Sequence, residues 1–361
     1  MSVIDLGLPP VRPAHSGAAP QVPADMPTEG PLVDRFGRVA TDLRVSLTDR
    51  CNLRCTYCMP AEGLDWLPGD QLLTHDELIR LLRVAVTRLG ITSVRFTGGE
   101  PLVVRHLEDV IAATAALTPR PEIALTTNGI GLDRRAERLK RAGLDRINVS
   151  LDTVDRQRFA RITRRDRLAD VLAGLRAAKN AGLDPVKVNA VLDPTTGPED
   201  AVELLRFCLR HGYQLRIIEQ MPLDAGHTWR RSEVLTADEV LATLRRHFRL
   251  TPDPAPRGSA PARLWRVEGD DGLCGTLGII AAVSQAFCSA CDRTRLTADG
   301  NVRNCLFART ETDLRSLLRS GADDDALELA WRAAMWTKAA GHGINEEGFV
   351  QPDRPMSAIG G

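Results

Sequence analysis

Three cysteines lie within eight residues of one another, at Cys51, Cys55 and Cys58. Their spacing, C-x3-C-x2-C, allows one loop to surround a small inorganic cluster. A [4Fe–4S] cube usually takes four cysteine ligands, so three local thiols would leave one iron with an open coordination position. Catalytic metal sites keep such an open position. Zinc is the alternative, although its C-x2-C knuckles usually come in pairs and no fourth Cys or His lies near this loop.

A second set of three cysteines, Cys288, Cys291 and Cys305, has the spacing C-x2-C-x13-C. It also lacks a fourth thiol, and we interpret it as the ligand set of a second cluster. A structural zinc site that borrows His342 is the alternative. The two remaining cysteines, Cys208 and Cys274, are predicted to be buried as small apolar side chains.

Strand and helix patterns alternate along most of the chain, which predicts a parallel sheet with helices outside it. Capping boxes at Thr74 and Thr236 predict the starts of two of the helices. The fold class is therefore α/β, a partial (β/α)6 barrel, followed by a β-containing extension that carries the second cysteine set. The predicted barrel strands are Leu43–Leu47, Ser93–Thr97, Ile123–Thr127, Ile147–Leu151, Val186–Leu192 and Leu215–Glu219. The predicted strands of the extension are Leu264–Val267, Leu273–Val283, Thr294–Thr297 and Val302–Leu306.

Prolines indicate the divisions of the chain. Residues 1–31 are rich in proline and poor in apolar periodicity, so we expect a disordered extension. Prolines and a glycine between Pro252 and Pro261 suggest a linker. The predicted organisation is an extension over 1–31, a barrel core over 32–255, and an auxiliary-cluster region with a tail over 256–361.

Composition gives no sign of a nucleic-acid-binding, membrane-spanning or secreted protein. The 361 residues include 47 basic and 47 acidic side chains, so net charge gives no indication of nucleic-acid or membrane binding. No apolar run approaches the roughly 20 residues that a membrane span needs, and we see no secretory signal. Eight cysteines in such a chain indicate metal or redox ligands rather than disulfides, and we predict a cytoplasmic protein.

Polar residues follow several of the predicted strands, at the end of a barrel where catalytic groups lie. Gly98-Gly99-Glu100 follows the second strand, and Ser150 ends the fourth. Met221 follows the sixth strand, and Tyr57 lies inside the cysteine loop. Taken singly, the glycines fit a plain turn and Met221 and Tyr57 fit a core, but their common position favours a site.

Cations occupy strand positions where a barrel would normally hold apolar side chains. Arg44, Arg95 and Lys187 lie in strands one, two and five, and Arg293 and Arg295 follow the second cysteine pair. Buried cations need partners. Structural salt bridges would explain any one of them, but together they favour a polyanionic ligand, such as a triphosphate, in the barrel mouth.

The C-x3-C-x2-C loop with the GGE turn resembles the radical S-adenosylmethionine (SAM) superfamily. The second cysteine set, Arg293-Thr294-Arg295 and the terminal Gly360-Gly361 resemble one family within it, GTP 3′,8-cyclase, over Leu32–Gly361. The resemblance implies SAM contacts by Tyr57, Gly99, Ser150 and Met221. It implies GTP contacts by Arg44, Arg95, Thr126, Lys187, Arg293, Thr294 and Arg295. It also implies that Arg293, Arg295, Gly360 and Gly361 act in catalysis.

The family resemblance implies two [4Fe–4S] clusters, with SAM on the first and the guanine of GTP on the second. One-electron cleavage of SAM would give a 5′-deoxyadenosyl radical, which would take the 3′ hydrogen of the GTP ribose. Addition of C3′ to C8 and reduction would give 3′,8-cyclo-7,8-dihydroguanosine 5′-triphosphate, in the first step of molybdenum cofactor biosynthesis. The implied partners are an electron donor and a downstream cyclic pyranopterin monophosphate synthase, and the sequence allows a homodimer.

Two other functions fit part of the sequence. A radical SAM maturase that modifies peptides or proteins would use the same cysteine loop, but its usual C-terminal domain needs more cysteines. It would also leave the Arg-x-Arg pair and the terminal glycines without a role. A non-catalytic zinc-binding regulator is the second alternative, and metal analysis would distinguish it, since zinc protein is colourless.

Overall fold

The computed structural model describes residues 23–269 and 272–360. Residues 1–22 of the predicted disordered extension and the predicted catalytic Gly361 therefore lie outside the described residues. The described part of the extension, 23–31, differs from the expectation because it packs on the protein. Met26 is buried, the Trp336 indole donates to Asp25 at 3.2 Å, and Arg332 donates to the Gly30 carbonyl at 2.7 Å.

The first part of the chain alternates between strand and helix, with two successive helices, α4 and α5, between β4 and β5. Every strand of the predicted barrel is present, and both ends of each strand lie within one residue of the prediction. The strands are β1 (Asp42–Ser46), β2 (Ser93–Thr97), β3 (Glu122–Thr127), β4 (Arg146–Ser150), β5 (Val186–Val191) and β6 (Gln214–Ile218). The helices are α1 (His75–Thr87), α2 (Leu107–Ala115), α3 (Ala136–Ala142), α4 (Arg156–Thr163), α5 (Leu168–Asn180) and α6 (Gly197–His211).

The predicted capping boxes start two helices. Thr74 caps α1 and Thr236 caps the next helix after β6, and in both cases the glutamate three residues later accepts a hydrogen bond from the cap backbone. Each arrangement satisfies amide groups that have no partner inside the helix. These helices consequently begin where the sequence places them.

The rest of the chain extends the same sheet at both of its ends. The elements are α7 (Ala237–Leu244), β7 (Phe248–Pro252), β8 (Arg263–Gly269), β9 (Cys274–Ile280), β10 (Arg293–Leu296), β11 (Asn301–Arg303), β12 (Thr312–Asp313), α8 (Leu314–Arg319), α9 (Asp324–Trp336) and α10 (Met356–Ile359). The strand order is β12-β11-β10-β1-β2-β3-β4-β5-β6-β9-β8-β7. β10 runs parallel to β1 and β9 parallel to β6, while the outer strands are antiparallel.

The four strands predicted for the C-terminal extension are present as β8–β11, whereas other features of this part differ from the expectation. The proline-rich segment 252–261 connects the antiparallel pair β7–β8 inside one continuous sheet, so the boundary at 255/256 stays a prediction. Helices α8 and α9 follow a region that we expected to be β-like. Cys208 is buried as predicted, but the prediction for Cys274 was wrong because this thiol is exposed at the start of β9.

The hydrophobic core lies between the sheet and its helices, and the inner face of the sheet is polar. Phe96 of β2 and Trp331 of α9 are among the largest fully buried side chains of this core. Because side chains alternate along a strand, every second residue of β1–β6 points away from the helices into the barrel interior. No helix in the described ranges is both long and apolar enough to cross a membrane.

Thr294 illustrates this alternation. It lies between Arg293 and Arg295 on β10 and faces the opposite way, where its hydroxyl accepts a hydrogen bond from the Trp331 indole at 3.0 Å. Both groups are fully buried. The bond fastens α9 to the sheet, and an unpaired indole N–H would be costly at this position.

We expect Thr294→Val to lower the free energy of unfolding by about 1–3 kcal/mol, since it leaves the buried indole donor without an acceptor. Urea denaturation would measure the change. Thr294→Ser is the matched control, because it keeps the hydroxyl and should be much less destabilising. Equal stability of Thr294→Val and the unmodified protein would show that this bond contributes nothing.

Candidate active site

The first cysteine set lies in a cavity of about 240 Å³ at the carboxyl ends of the barrel strands. We call it the cysteine-loop cavity. Its walls contain Cys51, Cys55 and Cys58 together with the residues predicted to contact SAM. These are Tyr57, Gly99, Ser150 and Met221. The structure therefore brings together groups that are up to 170 residues apart in sequence.

The cysteine loop is held by the end of α4. The Arg54 and Thr56 amides donate to carbonyls of the last helical turn, at 3.1 and 2.9 Å. In return, the Arg164 guanidinium donates to the Arg54 and Met59 carbonyls, each at 2.9 Å. Arg164 adopts a left-handed backbone conformation with φ of 54°, which is uncommon for a residue with a side chain. This conformation directs its side chain across the loop.

The GGE turn is fixed against the residues that lead into the cysteine loop. The Gly99 amide donates to the Thr48 carbonyl at 2.7 Å, and the Glu100 amide to the Arg50 carbonyl at 2.8 Å. A Cβ atom on Gly99 would lie 2.4 Å from the Asp49 and Arg50 carbonyl oxygens. We expected glycine here to let the backbone approach a ligand, and the structure adds a second reason, which is the close approach of two loops.

The Glu100 carboxylate joins the ends of β2 and β3. It accepts from the Thr127 hydroxyl and the Asn128 amide, both at 2.6 Å, and from the Leu102 amide at 2.9 Å. Burial raises the pKa of Glu100 to about 7, although these hydrogen bonds oppose the shift. Its oxygens are thus used within the protein, and they position Asn128 against the Cys51 thiol at 3.9 Å.

Tyr57 is positioned by a carboxylate at the end of β4. Its hydroxyl donates to Asp152 at 2.8 Å, and the second oxygen of Asp152 accepts from the Val191 amide at 2.9 Å. Burial raises the pKa of Asp152 to about 6. The ring of Tyr57 is therefore held along one wall of the cavity instead of being free to rotate.

A second cavity, of about 550 Å³, lies deeper inside the barrel. We call it the lumen cavity. It shares five lining residues with the cysteine-loop cavity, namely Thr126, Asn189, Ile218, Met221 and Met356. A volume of this size is typical of small-molecule sites, and the shared wall makes the two cavities neighbours.

The two cavities form successive layers along the strands. In β4, Arg146 and Asn148 line the lumen cavity and Ser150 lines the cysteine-loop cavity. In β5, Lys187 lines the lumen cavity and Val191 the other, with Asn189 between them. Cations predicted for the barrel mouth, such as Lys187, thus lie in the layer nearer the amino ends of the strands.

The lumen cavity is strongly basic. Its eight cationic side chains are Arg44, Arg95, Arg146, Lys187, Arg216, Arg257, Arg293 and Arg295. Only two of them form an ion pair with a carboxylate among the described residues. Asp42 pairs with Arg44 at 3.4 Å, and Glu122 pairs with Arg146. Arg95, Arg44 and Arg295 occupy matching positions on three adjacent strands, so three positive charges lie side by side.

Burial and mutual repulsion lower the pKa values of four of these cations, namely Arg95, Lys187, Arg216 and Arg295. Burial lowers the pKa of Lys187 to about 7, and Arg216 and Arg146 add to the effect. Burial, and to a smaller extent the charge of Arg44, lowers the pKa of Arg295 to about 9. The same two causes hold the pKa of Arg95 well below its usual value. Two nitrogens of Arg95 and the side-chain oxygens of Asn148 and Asn189 are buried without a hydrogen-bond partner. An anionic, polar ligand would relieve both conditions.

The second cysteine set lies on a wall of the lumen cavity. Cys291 receives hydrogen bonds from two cations, Arg293 at 3.4 Å and the buried Lys338 at 3.3 Å. Burial raises the pKa of the Cys291 thiol, but these two charges reverse the shift and bring it to about 7. Lys338 also donates to the Arg293 carbonyl at 2.8 Å, so it links the cysteine to the start of β10.

The thiol geometry bears on the choice between a cluster and zinc. Over the described ranges, no three His, Cys, Asp or Glu side chains are arranged to hold a single metal ion. Zinc requires its ligands to converge at about 2.0–2.3 Å from one ion. In a cubane the cysteines bind different irons, so they need not converge. His342, the proposed zinc ligand, instead contacts the Ala282 carbonyl at 3.0 Å.

The C-terminal tail reaches both cavities. Met356 lines the two of them, and Ser357 lies against Cys58. The Gly360 carbonyl accepts a hydrogen bond from Arg295. Gly360 has φ of 83°, and a Cβ atom there would lie 2.5 Å from the Thr97 methyl group. Glycine is consequently required for the tail to enter this position.

Most of the predicted site residues line one of the two cavities, and Thr294 does not. It faces α9, because neighbouring residues of a strand point to opposite sides. Sequence analysis missed Arg146, Asn148, Asn189 and Arg216, which face inward two residues from predicted positions or on the neighbouring strand. Reading each strand with a period of two from Ser150 or Lys187 would have identified the first three.

Two protein-family models match successive parts of the chain. Residues 45–208 match the Radical SAM superfamily, and residues 213–344 match Molybdenum Cofactor Synthesis C. The chain is 75% identical to the GTP 3′,8-cyclase of Mycobacterium sp. strain KMS and 74% identical to that of Mycolicibacterium smegmatis. It is 71% identical to GTP 3′,8-cyclase 2 of Mycobacterium tuberculosis strain H37Rv. All three alignments cover 100% of both chains.

Solved structures share the fold at low identity. Streptococcus suis SuiB bound to S-adenosylmethionine aligns with a TM-score of 0.54 at 16% identity, over 79% of this chain and 66% of that one. A second structure of SuiB aligns with a TM-score of 0.53 at 15% identity, over 88% and 76%. These matches confirm the partial barrel predicted from strand and helix alternation.

We expect Gly99→Ala to lower the free energy of unfolding by about 1–3 kcal/mol, because the added methyl group would collide with two backbone carbonyls that cannot rotate away. Thermal unfolding would measure the loss. Gly69→Ala is the matched control, since nothing lies within 4 Å of the point where its methyl group would be. If both variants unfolded at the same temperature, the two loops would not constrain Gly99.

Proposed function

The chain belongs to the GTP 3′,8-cyclase family of radical SAM enzymes, and from this premise we propose how its two cavities divide the work. The enzyme converts GTP to 3′,8-cyclo-7,8-dihydroguanosine 5′-triphosphate, in the first step of molybdenum cofactor biosynthesis. We assign SAM and its [4Fe–4S] cluster to the cysteine-loop cavity and GTP to the lumen cavity. The observation that supports this assignment best is the shared wall, which makes a nucleotide in one cavity the neighbour of SAM in the other.

The triphosphate is assigned to the unpaired cations of the lumen cavity. Arg95, Lys187 and Arg216 have no carboxylate within 4 Å among the described residues, and burial makes their charges costly without a ligand. A triphosphate supplies several negative charges and acceptor oxygens that match guanidinium donors. Arg44, Arg293 and Thr126 are assigned to the same ligand, as the family resemblance implies.

The guanine is assigned to a second [4Fe–4S] cluster on Cys288, Cys291 and Cys305. Three thiols without a fourth ligand fit a cubane with one open iron, and they line the lumen cavity beside Arg293 and Asn304. Arg293 and Lys338 provide positive charge that offsets the negative charge of the thiolates. Anchoring the base here and the phosphates on the far cations would fix both ends of the nucleotide.

The first cluster is assigned to Cys51, Cys55 and Cys58, with SAM against Tyr57, Gly99, Ser150 and Met221. When bound, the cluster and SAM supply a carbon radical that removes a hydrogen atom from the GTP ribose. The residues of this chain hold the ribose in reach and keep water out. Thr126 and Met221 lie in the shared wall, where the ribose would be presented.

Arg295 and Gly360 are proposed to act together in catalysis by closing the site from the tail side. Arg295 is buried and donates to the Gly360 carbonyl, and its remaining N–H groups are available to the substrate. We further propose that a reducing partner delivers electrons to the enzyme. A cyclic pyranopterin monophosphate synthase then uses the product.

The function is tested by anaerobic incubation of enzyme carrying roughly eight irons, as two cubanes require, with SAM, GTP and dithionite. We expect 5′-deoxyadenosine and the cyclised nucleotide to form together, as measured by chromatography and mass spectrometry. Arg293→Ala should still cleave SAM but form little cyclised product, since the substrate is no longer positioned. Thr294→Val is the control, because this side chain faces away and product yield per folded enzyme should be kept. Normal yield from Arg293→Ala would remove Arg293 from the site.

A pH dependence follows from Lys187, whose pKa lies at about 7 in the free enzyme. A bound triphosphate would raise this pKa, so the enzyme takes up a proton when GTP binds between pH 7.5 and 8.5. GTP affinity should therefore fall by up to about tenfold as the pH rises from 7.5 to 8.5. Calorimetric titration in two buffers would measure both effects. The last phosphate proton, with a pKa near 6, is already lost in this range. Lys187→Arg keeps the charge and should abolish the slope, and an unchanged slope would exclude Lys187.

A further inference from the structure

A basic groove lies on the outside of the barrel, next to the cysteine loop and away from both internal cavities. It is formed by two adjoining depressions. The first, of about 380 Å³, contains Asn52, Val103, Arg134 and Arg138. The second, of about 500 Å³, is lined by four arginines and two carboxylates, namely Arg105, Arg135, Arg138, Arg141, Glu108 and Asp109. It shares no lining residue with the lumen cavity or the cysteine-loop cavity. A partner bound here would leave both of them accessible.

The charge of this groove is unusual for the surface of this protein. Many surface arginines, such as Arg80 and Arg319, form ion pairs with carboxylates. In the groove, no carboxylate lies within 4 Å of Arg105, Arg134 or Arg141 among the described residues, whereas Arg138 has a single contact with Glu108 at 3.4 Å. Unpaired arginines that are exposed to solvent attract an acidic protein surface more readily than they form a buried anion site.

The floor of the groove is rigid. The Arg135 guanidinium donates to the Leu102 carbonyl at 2.6 Å and to the Glu108 carboxylate at 2.9 Å, which ties α3 to the turn before α2. Val103 is 43% exposed on this surface and is one of the few large apolar side chains to be so. A small apolar centre surrounded by charged residues is the usual anatomy of a transient protein interface.

A short hydrogen-bonded path leads from the groove to the first cysteine. The exposed Asn52 accepts from the Asn128 side-chain amide at 2.6 Å, and the same amide lies 3.9 Å from the Cys51 sulfur. Asn52 is also bonded directly to Cys51 in the chain. The groove wall is therefore one residue away from a thiolate assigned to the first cluster.

We propose that this groove is the docking surface for an acidic one-electron carrier protein. The reduced carrier gives up one electron to the cluster on Cys51, Cys55 and Cys58 and leaves in its oxidised form. Arg105, Arg134, Arg138 and Arg141 attract the carrier, and Val103 provides the apolar contact. This proposal rests on the proposed radical SAM function only in its need for an external electron.

The test uses the full-length enzyme and a reduced plant-type [2Fe–2S] ferredoxin as the probe, with dithionite as a reductant that needs no docking surface. In Arg134→Glu/Arg138→Glu we expect ferredoxin-driven SAM cleavage and ferredoxin binding at low salt to fall at least tenfold. Cleavage with dithionite should stay unchanged. Arg246→Glu/Arg263→Glu, which reverses two exposed arginines near the β7–β8 edge of the sheet, should behave like the unmodified enzyme.

Each other outcome overturns the proposal. If ferredoxin-driven cleavage were unaffected by the groove variant, the carrier would dock elsewhere. If dithionite-driven cleavage were lost as well, the arginines would be structural. If short duplex DNA bound through the groove while electron transfer was unaffected, the surface would serve nucleic acid instead. Absence of cleavage with both reductants in the unmodified enzyme would contradict the proposed function, and it is distinguishable from all of these results.

Discussion

Positive charge without a partner inside the barrel is the constraint on which the rest of the structure depends. Arg95, Lys187 and Arg216 project into a closed space where burial and mutual repulsion lower their pKa values. A barrel normally fills this space with apolar side chains. The fold must therefore be stable enough from its outer, helix-covered face to tolerate repulsion within, and the ligand that relieves the repulsion gains affinity from it.

The spacing of residues along the strands also sets the distance between the two cavities. Because successive inward-facing residues are two positions apart, they lie roughly 6.6 Å apart along a parallel strand. In β4, Arg146 and Asn148 thus line successive levels of the lumen cavity, and Ser150 lines the cysteine-loop cavity. Under the proposed assignment, substrate and SAM are held by the same rigid backbone, and their separation is fixed by covalent geometry rather than by flexible loops.

The sequence predicted the barrel well, because its signals are local. Strand periodicity and the capping boxes at Thr74 and Thr236 placed these elements within one residue. It also predicted four strands of the C-terminal part, which are present as β8–β11, but it did not predict how they pair. Proline between β7 and β8 indicated a linker, yet the pairing of β8 with β9 makes the segment a hairpin connection in a continuous sheet. Such strand pairing depends on residues that are distant in the sequence, so no local sequence pattern predicts it.

The same distinction between local and long-range signals applies within the site. The two cysteine sets predicted from spacing line the two cavities, whereas the side chain of Thr294 lines neither of them, because only the strand β10 decides which neighbours of Arg293 face inward. Arg295 shows what long-range contact adds. Its partner is the Gly360 carbonyl, 65 residues later. A guanidinium has five N–H donors, so Arg295 holds the tail and still faces the lumen cavity. In the proposed function, this one side chain would couple closure of the site by the tail to recognition of the anion.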